Sequence, residues 1–88
     1  MKTAFRESFT RDLKAVRNKK LLQRVKGRIE AVEKAESLNE LPNLKKLKGA
    51  KSYFRMKLGD YRLGIALEDN TLVFVRFLDR KDIYKYFP

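Results

Sequence analysis

The stretch KSYFRMKLGDYRL, Lys51 to Leu63, places Arg55 and Lys57 two residues apart and follows them, past a Gly-Asp pair, with Arg62. Side chains of a strand alternate between its faces, so Arg55 and Lys57 share a face with Tyr53 while Phe54, Met56 and Leu58 point the other way. On a following strand Arg62 shares its face with Gly64 and Ala66, and Tyr61, Leu63, Ile65 and Leu67 form the apolar face. Cations standing over small side chains make a floor that can receive a phosphate backbone. Arg80, Lys81 and, four residues beyond Arg80, Tyr84 can bring a guanidinium and a phenol to the edge of that floor. The plainer alternative is that Lys and Arg on an exposed sheet face blunt its edges against aggregation, with Tyr84 and Tyr86 as packing residues.

Bulk properties favour a polyanionic partner. The chain has 88 residues, one domain over 1–88, and a net charge of +11 from 22 Lys and Arg against 11 Asp and Glu. That excess is far above what solubility requires and attracts nucleic acid, an acidic membrane or an acidic protein. Seven cations (Lys45, Lys46, Lys48, Lys51, Arg55, Lys57, Arg62) against one anion, Asp60, give the segment from Lys45 to Arg62 a net +6. Lys45, Lys46, Lys48 and Lys51 are therefore candidate phosphate contacts flanking the floor. No apolar run approaches the roughly 18 residues of a membrane span, and MKTAFRESFTRD lacks the apolar core of a signal peptide, which makes a cytoplasmic protein without membrane contact the expectation. The sequence has no Cys and no His. Disulfide and thiol chemistry are excluded, and the usual metal ligand and usual general base are missing, so no metal or cofactor is expected.

The elements that must position these groups follow from periodicity. Lys2 to Ser8 is a short candidate strand, and Thr10 with Asp12 behind it starts a helix, TRDLKAVRN, that Asn18 ends. From Lys19 to about Ser37, Leu22, Val25, Ile29 and Val32 recur at helical spacing, while Lys20, Arg24, Arg28 and the Glu30–Lys34 pair read as a solvated face. The connector LNELPNLKKLKGAKS carries Leu41, Leu44 and Leu47 as core anchors. Strands follow at Tyr53 to Leu58, Tyr61 to Leu67 and Thr71 to Leu78, joined by GD and EDN turns. The expectation is an α+β domain of order β-α-α-β-β-β: an antiparallel sheet with two N-terminal helices packed on one face, and Leu22, Val25, Ile29, Val32, Leu63 and Ile65 in its core. LVFVRFL is apolar on both faces, as in the interior of a sheet; its one interruption, Arg76, receives no role.

The run YFRMKLGDYRLGIALEDNTLVFVRFLDRKDIYKYF resembles the carboxy-terminal half of the RelE/ParE superfamily of type II toxins, where a Y-Y-R-x-x-x-G-D-Y-R pattern precedes a hydrophobic strand and an R-K-D-x-Y ending. The strand-helix-helix half before it fits as well, so the resemblance spans nearly the whole chain. It implies the RelE branch, mRNA endonucleases typically acting in the ribosomal A site, over the ParE branch, which poisons DNA gyrase and generally lacks the basic set. By position it points to Arg55, Lys57, Arg62, Arg80 and Tyr84 as catalytic residues, to mRNA and the ribosome as targets, and to an acidic antitoxin forming a hetero-oligomer with the toxin. The sequence departs from the best-studied branch in having arginine at position 55 instead of lysine, and in a shorter spacing from Arg80 to Tyr84.

Such chemistry works without histidine. The 2′-hydroxyl of RNA can attack the adjacent phosphorus, leaving the protein to position the strand, neutralise developing charge and move protons. Neighbouring Arg55, Arg62 and Arg80 disfavour a protonated ammonium at Lys57, the candidate general base. The rigid donor fork of Arg62 suits phosphorane oxygens, Arg80 suits the leaving-group side, and Tyr84 can stack on or orient a base. Beside the endonuclease stand a gyrase inhibitor on the same scaffold and a plain RNA-binding module. The basic set argues against the first, and an expected burial of most aromatics argues against the second.

Overall fold

A computed structural model describes residues 1–47, 49 and 52–88; Lys48 and Lys51, two of the proposed phosphate contacts, lie outside the described residues. The elements run β1 (Lys2–Phe5), α1 (Glu7–Lys14), α2 (Lys19–Lys34), a 3-10 turn (Leu38–Glu40), β2 (Leu44–Lys46), β3 (Tyr53–Leu58), β4 (Tyr61–Glu68), β5 (Thr71–Asp79) and α3 (Arg80–Tyr86). The α+β plan with two N-terminal helices on one face of a sheet is as expected. Three elements are additional: the 3-10 turn and the three-residue β2 within the expected connector, and α3 in the expected tail.

The sheet has the order β1-β5-β4-β3-β2. β2 to β5 pair antiparallel, whereas β1 runs parallel to β5 with Lys2 opposite Thr71 and Phe5 opposite Phe74, so the sheet is mixed. Tight turns set the antiparallel part. Gly59 opens the β3–β4 turn at φ 58°, and Asp69 and Asn70, at φ 48° and 63°, form the two-residue β4–β5 turn whose left-handed backbone matches strand twist. β1 has no such turn to β5; the long connection through both helices returns the chain to the far side of the sheet, which permits parallel pairing.

The helix boundaries differ from the expectation. The strand stops at Phe5 and α1 begins at Glu7, three residues before Thr10. Asn18 does not end the first helix. Its side chain accepts from Leu21 N at 3.1 Å, capping the start of α2. Asp12 lies inside α1 and binds the uncovered edge of β5: its Oδ2 accepts from Phe77 N at 2.9 Å and from Arg76 Nε at 2.8 Å, and its Oδ1 accepts from Arg76 Nη2 at 3.1 Å. Among the described residues no strand pairs with β5 beyond Phe74 on this side, so a helix side chain satisfies the edge. Arg76, given no role from sequence, thus ties α1 to β5 beside a β-bulge, where the register steps from Gly64–Arg76 to Ile65–Phe74.

The main core lies between the helices and the inner face. Phe54, Met56, Leu58, Leu63, Ile65, Leu72, Phe74 and Phe77 from the strands meet Phe9, Val25, Val32, Ala35 and Leu41. Val25 and Val32 are buried as expected, Ile29 is half-buried against the cluster, and Leu21 packs there in place of Leu22. The α-ammonium of Met1 donates to the carbonyls of Val32, Glu33 and Ala35, satisfying the negative end of α2.

The outer face carries a second, smaller core. Ile83 and Phe87 are buried against β4 and β5, together with Ala66 and Val73. A Cβ on Gly64 would stand 2.7 Å from the Phe87 ring, so only glycine lets α3 close on the sheet. This explains why LVFVRFL is apolar on both faces. It also corrects the picture of an open floor: α3 covers the part over Gly64 and Ala66.

Candidate nucleic-acid cleft

What remains of the outer face is a cleft of about 340 Å³ beside α3, lined by Pro42, Asn43, Leu44, Lys45, Arg55, Lys57, Arg62 and Tyr84. Four of the five residues expected to be catalytic meet here. β3 supplies Arg55 and Lys57, β4 supplies Arg62 and α3 supplies Tyr84. Register accounts for the convergence: Lys57 pairs with Arg62, Arg55 with Gly64, and Lys45 of β2 with Arg55. Paired residues of antiparallel strands share a face, so four cations from three strands project together.

Each group is held differently. The Arg55 guanidinium lies over the Tyr84 ring, 4.4 Å from its centroid. Arg62 Nη1 donates to Gly59 O and Tyr61 O, both at 2.8 Å, anchoring the guanidinium on its own turn while its other nitrogens keep their donors. Lys57 is exposed, and no acid pairs with Lys57 or Arg62 among the described residues.

Arg80 is not among the lining residues. It is the exposed first residue of α3, with its backbone N–H donating to Asp60 O at 2.8 Å. Tyr84 lies one turn further along that helix, so the two residues fall on one side of α3, and the Asp60 contact sets the start of the helix beside the β3–β4 turn. Asp79 caps α3 by accepting from Lys81 N at 2.8 Å, which fixes where the helix begins.

The flanking lysines separate. Lys45 lines the cleft, but Lys46 pairs with Phe54, whose side chain enters the inner core, so Lys46 projects toward the helix side. Sequence reasoning had put both on one surface; a strand over Leu44–Lys46 sends neighbours to opposite faces. The Pro42-Asn43-Leu44 wall lies in the expected connector, where Leu44 is expected only as a core anchor, and neither it nor Arg28 is marked as part of a site by the sequence. This arginine, read as solvated, donates from Nη1 to Lys57 O at 2.9 Å. Arg24, one turn earlier, lies against the β3–β4 turn, its guanidinium 3.3 Å from where a Cβ of Gly59 would stand.

The aromatics depart further from expectation. Tyr84 is 68% exposed, and Phe5, Tyr53 and Tyr86 are exposed as well. Absence of a surface aromatic is therefore no argument against RNA binding, since Arg55 and Tyr84 together offer a stacking surface at the cleft.

Residues 4–84 match the family model described as the ParE toxin of the type II toxin-antitoxin system parDE. The chain is 43% identical to Toxin RelE3 of Methanocaldococcus jannaschii over 89 residues, covering all of both chains. Its structure is similar to that of the RelB-RelE antitoxin-toxin complex from Methanococcus jannaschii, with a TM-score of 0.81 at 40% identity over 97% of this chain and 99% of the other. It is also similar to the toxin-antitoxin complex RelBE2 from Mycobacterium tuberculosis, with a TM-score of 0.66 at 26% identity over 90% and 96%.

Proposed function

The chain belongs to the RelE/ParE superfamily as a RelE-like toxin, and from that premise we propose that it is an endoribonuclease cleaving mRNA in the ribosomal A site. The observation that carries this reading is the convergence of Arg55, Lys57, Arg62 and Lys45 on one cleft with Tyr84. A site for inhibiting a DNA enzyme by surface contact does not require such a set; a transition state with charge spread over phosphorane oxygens does.

In this reading the mRNA backbone enters along Lys45, and the scissile phosphate sits over the Lys57–Arg62 pair. Arg62 donates from its free nitrogens to the phosphorane oxygens. Lys57 takes the proton of the attacking 2′-hydroxyl. A nucleobase stacks on the Arg55–Tyr84 pair, holding the nucleotide in line for attack. As the P–O5′ bond breaks and the 2′,3′-cyclic phosphate forms, Arg80 stabilises charge on the departing 5′-oxygen, which takes its proton from solvent.

The partner follows from the same charge. A cognate acidic antitoxin covering the cleft would neutralise cations and bury apolar surface together, forming a toxin-antitoxin hetero-oligomer. Relatives of this fold are found in RelB-RelE complexes. Co-purification with the product of the adjacent reading frame at moderate salt is the expected result, and a neighbour that fails to bind removes this part of the reading.

The deciding experiment maps RNA ends after expression, with and without translation, beside a DNA supercoiling assay. Cleavage confined to translated messages supports the proposal. No RNA cleavage together with loss of gyrase supercoiling would establish the gyrase inhibitor instead. Binding of RNA without cleavage would leave a binding module.

A further inference from the structure

Building on the endonuclease reading of the cleft, we propose that Arg28 of α2 is a positioning residue for Lys57, acting through the backbone of β3. The ladder between β2 and β3 ends with Leu44 opposite Met56, one residue short of Lys57. The N–H of Lys57 still finds a partner, donating to Asn43 O at 3.1 Å. Among the described residues no strand pairs with its carbonyl, and Arg28 Nη1 donates to it at 2.9 Å. With its amide oxygen turned toward the guanidinium, Asn43 accepts from Arg28 Nη1 at 2.7 Å and Nη2 at 3.3 Å, closing the set.

Both backbone groups of Lys57 therefore point toward the β2 side. That makes Lys57–Arg62 a pair without mutual backbone hydrogen bonds, the kind in which side chains of opposite residues stand closest. The β4 ladder holds the two peptides flanking the Lys57 Cα through Met56 and Leu58, and Asn43 and Arg28 hold them on the open β2 side, so both sides together set the direction in which the side chain leaves the strand. Stability alone does not call for this arginine, because an edge carbonyl is readily satisfied by water. A base that must meet a 2′-hydroxyl at hydrogen-bond distance does gain from a fixed origin. The guanidinium fork suits two acceptors at once, Lys57 O and the Asn43 amide, which a point-like ammonium cannot reproduce.

The test uses the whole toxin and mRNA on programmed ribosomes, at saturating enzyme and single turnover, comparing the parent with Arg28→Lys and Arg28→Ala. Both variants should slow cleavage by about tenfold or more, as a misplaced reacting group does. Arg28→Lys should keep the parent's ribosome affinity and salt dependence, because the charge is retained. Cleavage by Arg28→Lys at the parent's rate would overturn the proposal, leaving Arg28 a source of charge. So would an Arg28→Ala variant that loses affinity and salt slope yet cleaves normally at saturation. If Arg28→Ala melts near the assay temperature, the rate of Arg28→Lys decides. A parent that cleaves no RNA brings down the endonuclease reading and this inference together, whereas a cleaving parent with unaffected Arg28 variants brings down this inference alone.

Discussion

The guanidinium of Arg55 lies 4.4 Å from the centre of the Tyr84 ring, so a strand and the C-terminal helix, remote in sequence, present one composite surface to the cleft. Neither residue needs the other for folding, since both side chains reach solvent and a cation–π contact at such a site is worth only about 0.5–1 kcal/mol. If the pair stacks on a nucleobase, the ring matters and the hydroxyl does not. Tyr84→Phe should keep single-turnover cleavage within about threefold of the parent, while Tyr84→Ala should lose tenfold or more, in keeping with base stacking worth about 1–3 kcal/mol. A Tyr84→Phe loss as large as that of Tyr84→Ala would move the function to the hydroxyl.

Gly64 controls that surface from beneath. A methyl group at this position collides with the Phe87 ring, and the ring belongs to the segment that seats α3. Gly64→Ala should lower stability by about 1–3 kcal/mol, the usual cost of overpacking. It should also slow cleavage beyond the stability loss, because Arg80 and Tyr84 ride on the displaced helix. Denaturant unfolding beside single-turnover kinetics separates the two effects; normal stability and rate would mean that Phe87 swings aside freely.

Core substitutions should follow depth. Leu63 of β4 is fully buried in the main core, so Leu63→Ala should cost about 2–5 kcal/mol. Ile29 is half-buried, and Ile29→Ala should fall at or below the lower end of that range. Leu22→Ala should cost less than Leu21→Ala, since Leu21 is the residue packed on the core. Thermal melts of the four variants check the order, and a reversal of the Leu21 and Leu22 pair would reject the orientation of α2.

These differences show where the sequence was readable. Alternation in YFRMKL and YRLGIAL placed Arg55, Lys57 and Arg62 on one face correctly, because strand period and turn length fix the register together. The role of the tail could not be read that way. DRKDIYKYFP is too short to show a helical stripe, and only the tertiary fit of Ile83 and Phe87 over Gly64 makes it a helix. Arg28 was hidden for a related reason: a cation on the polar side of an amphipathic helix looks solvated until one knows that β2 stops one residue short of Lys57. Asp12, taken as a helix-starting residue, is instead the partner of Arg76 and Phe77, a contact between distant segments that local pattern does not encode.

That Asp12 contact predicts a structural defect without a catalytic one. Asp12→Ala leaves the Phe77 N–H and a partly buried Arg76 without their acceptor, which should cost about 1–3 kcal/mol. Cleavage at a temperature where the variant stays folded should match the parent, because Asp12 lies outside the cleft. A fall in rate under those conditions would show that α1 communicates with the site.

Lys45 and Lys46 offer an internal control on the RNA path. Only Lys45 lines the cleft, so Lys45→Ala should weaken ribosome binding and flatten the logarithmic salt slope by about one unit, with the rate at saturation nearly unchanged. Lys46→Ala, on the opposite face of the same strand, should do markedly less. Equal effects would mean that the RNA passes along the edge of β2 rather than across the outer face.

Arg62 is the residue on which the endonuclease reading depends most. Its Nη1 is committed to Gly59 O and Tyr61 O, so Arg62→Ala removes two turn contacts and should lower stability modestly, by about 0.5–1.5 kcal/mol per hydrogen bond at most. In that reading its remaining donors meet charge that develops only as the phosphorane forms, so their loss should fall mainly on the chemical step. Single-turnover cleavage at saturating enzyme should slow by about 100-fold or more, with a smaller loss of affinity. Arg62→Lys should recover the turn poorly and the rate only in part, since an ammonium cannot bridge two carbonyls and still present a second fork to phosphate. If Arg62→Ala cleaves as fast as the parent, the charge on this face serves binding alone. The cleft would then be a docking surface for nucleic acid or antitoxin, with the chemistry, if any, elsewhere on the molecule.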